Sequence, residues 1–373
     1  MDQFTLIDNI EKISIESMDR LFNRTVRLLR RFLRGTTYAL DSTIIHTREN
    51  YPGSGVTKRK EEDDPNSPPQ IIHGFKLFIL YEVKSRIPVS MTIVPANESD
   101  HNYFLPMVIK GGDNIGNGRI KVVVADRGFL NGAQMWQLKH QMGIDFVIPA
   151  KSKMIVREDA IGLRTEYEKD ERMMSQWPYG KGISGGYGVE GLLTYIDYNP
   201  PETTAKNSKH TSGSPINAVV VTQWRSKSIA SGKEHVLLTS LATVKKAHIV
   251  AYQYRLRSLI ENTGFRELKQ ASYLECLPRR GGDTAEKAAY LHIMLCVLAS
   301  TLFFAFLGWR KKRAPEQKKG DCLRQWRRNE SRENTQNILV VASKGKYYAF
   351  YDIDEIMELF GVKQRYQFHQ RRR

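Results

Sequence analysis

The sequence predicts an α/β fold in which helices cover the faces of a mixed sheet. Strand candidates rich in β-branched and aromatic residues occupy 36–46, 71–83, 87–94, 122–125 and 144–148. Helix candidates lie between the later strands, at 100–109 and 133–141. The second and third strands are joined by a short polar link, as in an antiparallel hairpin. A meander followed by helical crossovers is typical of a mixed sheet.

The amino-acid composition and hydrophobic pattern along the chain predict five segments. Residues 20–34 have apolar and arginine faces at helical spacing, and residues 51–70, rich in Pro, Gly, Ser and charge, predict an exposed loop. Glycines and prolines interrupted by strands predict a β-rich insertion. The predicted segments are a basic helical region at 1–35, the first part of the α/β core at 36–150, the insertion at 151–247, core helices at 248–309, and a basic region at 310–373 with a hairpin at 337–351 and a helix at 354–361.

The charge balance predicts a polyanionic partner. Lys and Arg number 57 against 40 Asp and Glu, which gives a net charge of +17. A field of this sign attracts nucleic acid first and anionic membranes second. The 3 cysteines are scattered and odd in number, which fits a reducing compartment, and the N-terminal residues lack a signal-like apolar run. We therefore expect a cytoplasmic protein.

One apolar run raises the alternative of a membrane anchor. Residues 288–309 contain no charge and precede four basic residues, a length and flank that suit a bilayer span. However, the run also contains His292, Ser300 and Thr301, and no other segment resembles it. A helix buried inside the fold is the favoured interpretation, with no membrane contact.

An aspartate ends the buried run Val122–Ala125. Asp126 could serve simply as a turn or helix cap beside Gly128. If this strand lies parallel to the strand that contains Asp41, the two carboxylates are about one strand spacing, ~4.8 Å, apart. Two carboxylates at that distance repel unless a cation lies between them, and Mg²⁺ prefers oxygen ligands.

A third acid is available on the predicted helix 249–270. At helical spacing Tyr254, Arg257 and Glu261 fall within about 60° of one another, whereas Glu267 lies on another face. The alternative is an ordinary i,i+4 ion pair between Arg257 and Glu261 on a solvated helix.

Four motifs together carry a family resemblance. In chain order they are "YALDST", "HGFK", "VVADRGF" and "YRLRSLIENTGFRELKQ". This ordered set resembles the DDE transposases of bacterial and archaeal insertion sequences, in particular the group whose last catalytic helix carries Tyr-x2-Arg-x3-Glu-x6-Lys. The resemblance covers roughly residues 36–306, including an insertion between the second Asp and the Glu.

The resemblance implies an RNase H-like core that cuts DNA at element ends and joins it to target DNA. It implies that Asp41, Asp126 and Glu261 bind two Mg²⁺ ions, with Mn²⁺ as a substitute, and that the protein pairs as a homodimer on DNA. The resemblance also implies that three residues contact DNA, namely Tyr254, Arg257 and Lys269. A catalytically inactive, transposase-derived DNA-binding protein is the alternative function.

The position of Lys269 departs from the motif. Seven residues, not six, separate it from Glu261, which would rotate it by about 100° around a regular helix. A π-bulge at Gly264 would absorb the additional residue.

Overall fold

The computed structural model describes residues 12–59, 68–169, 174–179, 182–202, 212–223, 234–313, 340–344 and 347–351. The chain divides into two compact units, residues 1–313 and 314–373.

The first unit contains both strands and helices. The strands are β1 (Thr37–His46), β2 (Gly55–Arg59), β3 (Gln70–Glu82), β4 (Ile87–Pro95), β5 (Val122–Ala125), β6 (Asp145–Pro149), β7 (Met174–Tyr179), β8 (Gly182–Leu192), β9 (Ile216–Gln223) and β10 (His235–Thr239). The α-helices are α1 (Ile15–Leu29), α2 (Phe104–Ile115), α3 (Gly132–His140), α4 (Ile155–Gly162), α5 (Arg164–Glu168), α6 (Ala247–Arg255), α7 (Arg266–Ala271) and α8 (Ala285–Arg313). A π-helix spans Ile260–Phe265, and short 3-10 helices span Arg30–Phe32, Asp100–Tyr103 and Arg127–Phe129.

The strands of the described part of this unit form one mixed sheet. Its order is β2-β3-β1-β5-β6-β10-β9-β8-β7, and β4 pairs with β3 outside this path. β1 runs antiparallel to β3 and parallel to β5, and β5 runs parallel to β6. β3 and β4 form the predicted antiparallel hairpin. The predicted mixed α/β fold is confirmed.

The chain between β6 and α6 extends the same sheet. Leu237 of β10 pairs with Pro149 of β6, and β9, β8 and β7 follow in antiparallel order. Consecutive residues along β6, β10 and β9 are buried and join one continuous core, so both faces of this part of the sheet are covered. The region predicted as β-rich also begins with two helices, α4 and α5. The predicted segment boundaries remain a prediction.

One local prediction from the sequence was wrong. The predicted loop 51–70 contains β2, because Val56 and its neighbours pair with the first half of β3 from Gln70 to Gly74. The predicted helix 249–270 is helical but irregular, and it consists of α6, a tightened turn, a π-helix and α7. In addition, the first helix begins before residue 20 and ends at Leu29.

The long apolar helix α8 packs in the core. It contacts α1, whose buried face consists of Met18, Phe22 and Val26. In the residues described, α8 alone is long and apolar enough to cross a membrane by length and composition, and 56% of its most apolar window is buried in the protein. Its exposed side carries Leu302, Phe306 and Trp309.

The second unit contains the predicted hairpin. β11 (Val340–Lys344) pairs antiparallel with β12 (Tyr347–Tyr351), with Val340 opposite Tyr351. The predicted helix 354–361 and the basic residues beyond 313 lie outside the described residues.

Candidate active site

Asp41 is a buried carboxylate in the middle of the sheet. It lies on β1 between the buried Leu40 and the half-buried Ser42, and only 7% of its surface is exposed. Its Oδ1 accepts a 2.8 Å hydrogen bond from the Ser42 backbone N–H. A carboxylate in an apolar sheet requires such compensation, because desolvation penalises its charge.

The strand pairing brings Asp126 next to Asp41. β1 and β5 are paired in parallel register from Thr37 with Val122 to Leu40 with Ala125. Asp41 and Asp126 therefore follow the last paired residues on adjacent strands. Asp126 precedes the 3-10 helix Arg127–Phe129, but its side chain forms no capping hydrogen bond with that helix. The turn therefore does not use the carboxylate.

The helical winding of the backbone becomes tighter just before Glu261. After α6, the N–H groups of Arg257, Leu259 and Ile260 donate to carbonyls three residues earlier. This tighter winding is followed directly by the π-helix, in which each turn contains additional chain. Arg257 lies at the end of the tight turn, and Glu261 lies in the first turn of the π-helix.

One nitrogen of Arg257 joins two of the predicted acids. Arg257 Nη1 donates to Asp41 Oδ2 at 2.8 Å and to Glu261 Oε1 at 2.7 Å. The Arg257 side chain is 15% exposed, and its guanidinium carbon lies 5.7 Å from the centre of the Tyr254 ring. Asp41 and Glu261 thus lie within two hydrogen-bond lengths of each other. The i,i+4 pair predicted as the alternative exists, but it also includes the core aspartate.

The electrostatics of the site centre on Asp41. Burial raises the pKa of Asp41 to about 7, although the Arg257 guanidinium and the Ser42 N–H oppose the shift. The charges of Glu261 and Asp126 raise this pKa further, which indicates that both acids lie near it. Burial also raises the pKa of Tyr254, whose surroundings include Arg257, Asp126 and Glu261. These five side chains form one cluster.

Lys269 is brought to the neighbouring stretch of β1. Its Nζ donates to the Ile44 carbonyl at 3.0 Å and forms a 2.8 Å ion pair with Glu275. The predicted π-bulge is present, and Gly264 lies inside it. The wider turn absorbs the additional residue, so that Lys269 faces the strand that carries Asp41.

The three predicted acids carry the ligand type that suits a hard divalent cation. Among the residues described, no three His, Cys, Asp or Glu side chains are grouped closely enough to hold a metal ion. However, Asp41 and Glu261 already share one cationic group, and the charge of Asp126 acts on Asp41. Carboxylate oxygens are the ligands that Mg²⁺ prefers.

Sequence reasoning missed two neighbours of the site. Thr37 Oγ1 donates to Gln253 Oε1 at 2.8 Å and ties the start of β1 to α6. His235, at the start of β10, lies close enough to Asp126 for that charge to act on its pKa, which burial lowers overall. The sequence predicted the strand containing His235, but it gave no sign that β10 lies beside β6.

Comparison with known families agrees with this arrangement. A family model described as the transposase DDE domain matches residues 33–298. The chain belongs to this family. The matched region of the transposase domain contains every predicted site residue, from Asp41 to Lys269, so the predicted family resemblance is confirmed.

One solved structure similar to the transposase chain is the piggyBac transposase synaptic complex with hairpin DNA. The two chains share 13% sequence identity with a TM-score of 0.43. The match covers 83% of this chain and 55% of the piggyBac chain. No curated protein matches the sequence.

Proposed function

We propose that this transposase domain cleaves DNA strands at the ends of an insertion sequence and transfers them to target DNA. The observation that carries the proposal is the meeting of Asp41 and Glu261 at one guanidinium nitrogen beside Asp126. Arg257 and Asp41 are 216 residues apart in the sequence. A cluster of acids assembled from distant segments is typical of a functional site, since a buried carboxylate destabilises the fold.

In this proposal Asp41, Asp126 and Glu261 hold two Mg²⁺ ions, for which Mn²⁺ can substitute. When bound, two such ions stabilise the attacking and leaving oxygens of an in-line phosphodiester displacement. The three acids are ionised in this state, and the rigid sheet fixes the positions of Asp41 and Asp126. Glu261 lies in the irregular helix, so its position can adjust when the ligands change.

Tyr254, Arg257 and Lys269 are proposed to contact DNA near the scissile phosphate. Arg257 offers a cationic donor at the acids, and the Tyr254 ring supports its guanidinium. Lys269 offers a second cationic donor at the Ile44 carbonyl, on the strand that carries Asp41. The net charge of +17 attracts the phosphate backbone over a longer range. We further propose a homodimer on DNA, a cytoplasmic location and no membrane association.

A catalytically inactive DNA-binding remnant is the predicted alternative, but the family match does not favour it. A remnant would bind DNA in a salt-sensitive way and would not cut it. The acids of the site would then have no metal-dependent role.

The deciding experiment is nicking of a supercoiled plasmid. The wild type should convert the plasmid to open circles with Mg²⁺ or Mn²⁺, whereas Ca²⁺ should support binding without turnover. Asp126→Asn keeps the size of the side chain and removes its charge, so it should bind the plasmid but not nick it. Nicking by Asp126→Asn at the wild-type rate would overturn the assignment.

A further inference from the structure

We propose that Arg257 is a resident counter-ion that closes the metal-free site and must leave Asp41 and Glu261 before divalent ions can bind there. This inference rests on the proposed function, because it assumes that these carboxylates bind metal. It assigns Arg257 a second role besides DNA contact. The guanidinium would neutralise the acids in the free protein, and it would become available to a phosphate only when metal replaces it.

The guanidinium of Arg257 lies between the two acids. A single nitrogen, Arg257 Nη1, lies 2.8 Å from Asp41 Oδ2 and 2.7 Å from Glu261 Oε1. A cation that binds both oxygens would occupy the space of this nitrogen. Arg257 and a bridging metal ion therefore exclude each other at the Asp41–Glu261 pair.

The positive charge of Arg257 offsets the negative charges of the acids. The Asp41 side chain is 10% exposed and the Arg257 side chain is 15% exposed, so water screens this contact poorly. Without a cation, the buried Asp41 would face the charges of Glu261 and Asp126. Leaving a buried carboxylate without its partner is unfavourable. Arg257 therefore stabilises the protein in the absence of metal.

Displacement of Arg257 requires that its contact with the acids opens toward solvent. Its Glu261 partner is 49% exposed, so the contact borders solvent on that side. The Tyr254 ring lies beside the guanidinium and can continue to support it. After displacement, the five donors of the guanidinium match the oxygens of a phosphate.

This arrangement couples the two ligands. A phosphate that binds Arg257 removes the competitor of the metal, and a metal that binds the acids releases Arg257 for the phosphate. Because linkage is reciprocal, DNA and metal should each strengthen the binding of the other through Arg257.

The test is Mn²⁺ binding to the full chain without DNA, measured from the free Mn²⁺ signal in electron paramagnetic resonance. Arg257→Gln should bind Mn²⁺ more tightly than the wild type, by about tenfold if the lost contacts have the strength of charged hydrogen bonds. Arg257→Lys keeps the charge and should remain close to the wild type. Arg20→Gln is the matched control, because Arg20 lies on α1 and its guanidinium donates to Ser17 Oγ, and it should leave the affinity unchanged.

A second measurement uses thermal unfolding of the same variants. Arg257→Gln should melt at a lower temperature than the wild type in chelator, and added Mn²⁺ should raise its melting temperature by more than it raises that of the wild type. Equal or weaker Mn²⁺ binding by a folded Arg257→Gln variant would overturn the inference. If the wild type binds no Mn²⁺ at all, the proposed function itself fails, so the two failures are distinguishable.

Discussion

Asp41 and Asp126 follow Leu40 and Ala125, which are paired with each other on neighbouring parallel strands. The backbone ladder therefore fixes the spacing of the two acids at about one strand separation, ~4.8 Å. Glu261 comes from the irregular helix and meets Asp41 through Arg257. Two acids are thus fixed by the sheet, and the third is held by a side-chain contact that can change.

The first prediction concerns the three acids individually. Asp41→Ala, Asp126→Ala and Glu261→Ala should each abolish metal-dependent plasmid nicking, because each removes oxygen ligands from the proposed metal site. Binding of the same DNA should remain within about threefold of the wild type, measured by fluorescence anisotropy, since cationic residues dominate phosphate affinity. If all three variants still cleave, the assigned site is wrong.

The sequence was sufficient to predict the local structure around these residues. The apolar run Val122–Ala125 ended by Asp126 indicated a core strand, and its parallel pairing with β1 is observed. The additional residue before Lys269 indicated a π-bulge, and a π-helix spans Ile260–Phe265. The strand was predictable because burial is visible in the local sequence, whereas the π-bulge was predictable only by comparing the spacing with the motif of the resembling family.

Features that depend on tertiary contacts were not predictable from local patterns. β2 lies in a polar, Gly-containing segment, and it forms a strand because β3 offers an edge for pairing. The same limitation applied to β10, which lies beside β6 although two helices and the strands β7 to β9 lie between them in the sequence. The contact between Arg257 and Asp41 also depends on the packing of α6 and the irregular helix against the sheet.

The second prediction concerns the pH dependence of stability in chelator. The pKa of Asp41 is raised to about 7 in the fold, whereas an unfolded Asp titrates near ~3.9. Because the folded state holds the proton more tightly, the contribution of Asp41 to the free energy of unfolding decreases between about pH 4 and pH 7 and then levels off. Asp41→Asn lacks this titration.

Urea unfolding of the wild type and Asp41→Asn from pH 5 to pH 8 tests this prediction. The variant should gain stability relative to the wild type by about 2 kcal/mol between pH 5 and pH 7. The comparison isolates Asp41 because Arg257, Glu261 and Asp126 are present in both proteins. Parallel stability curves would show that Asp41 is ionised throughout this range.

The third prediction concerns a buried acid outside the site. Glu82 has no exposed surface, and its carboxylate accepts hydrogen bonds from the backbone N–H groups of Arg34, Lys84 and Ser85. Glu82→Ala should lower the free energy of unfolding by about 3 kcal/mol, because buried donors lose a charged acceptor. Glu82→Gln keeps one acceptor oxygen and should lose less.

The midpoint of urea unfolding measures the effect of the Glu82 variants. Glu166→Gln is the matched control, because Glu166 forms a surface pair with Lys169 and its side chain is 67% exposed. The control should leave the midpoint nearly unchanged. A Glu82→Ala midpoint as high as that of the control would contradict the role assigned to Glu82.

The fourth prediction compares two glycines. A Cβ at Gly74, in the "HGFK" strand, would collide with the Ile45 carbonyl oxygen of the adjacent strand. A Cβ at Gly264 would lie 3.5 Å from Ile260 Cγ1 and 3.6 Å from Tyr81 Cε2, which is ordinary contact. Gly74→Ala should therefore destabilise the sheet, by about 2 kcal/mol or more, because backbone must move. Gly264→Ala should stabilise the protein by about 0.5 to 1 kcal/mol, because alanine loses less chain entropy on folding.

Thermal unfolding in the presence of a chelator tests this prediction, because the two variants should shift the melting temperature in opposite directions. A lower melting temperature for Gly74→Ala and a slightly higher one for Gly264→Ala would agree with these contacts. Nicking assays on Gly264→Ala then ask whether the π-helix needs a flexible residue for function. If the variant is more stable but cleaves more slowly, flexibility of the π-helix contributes to cleavage.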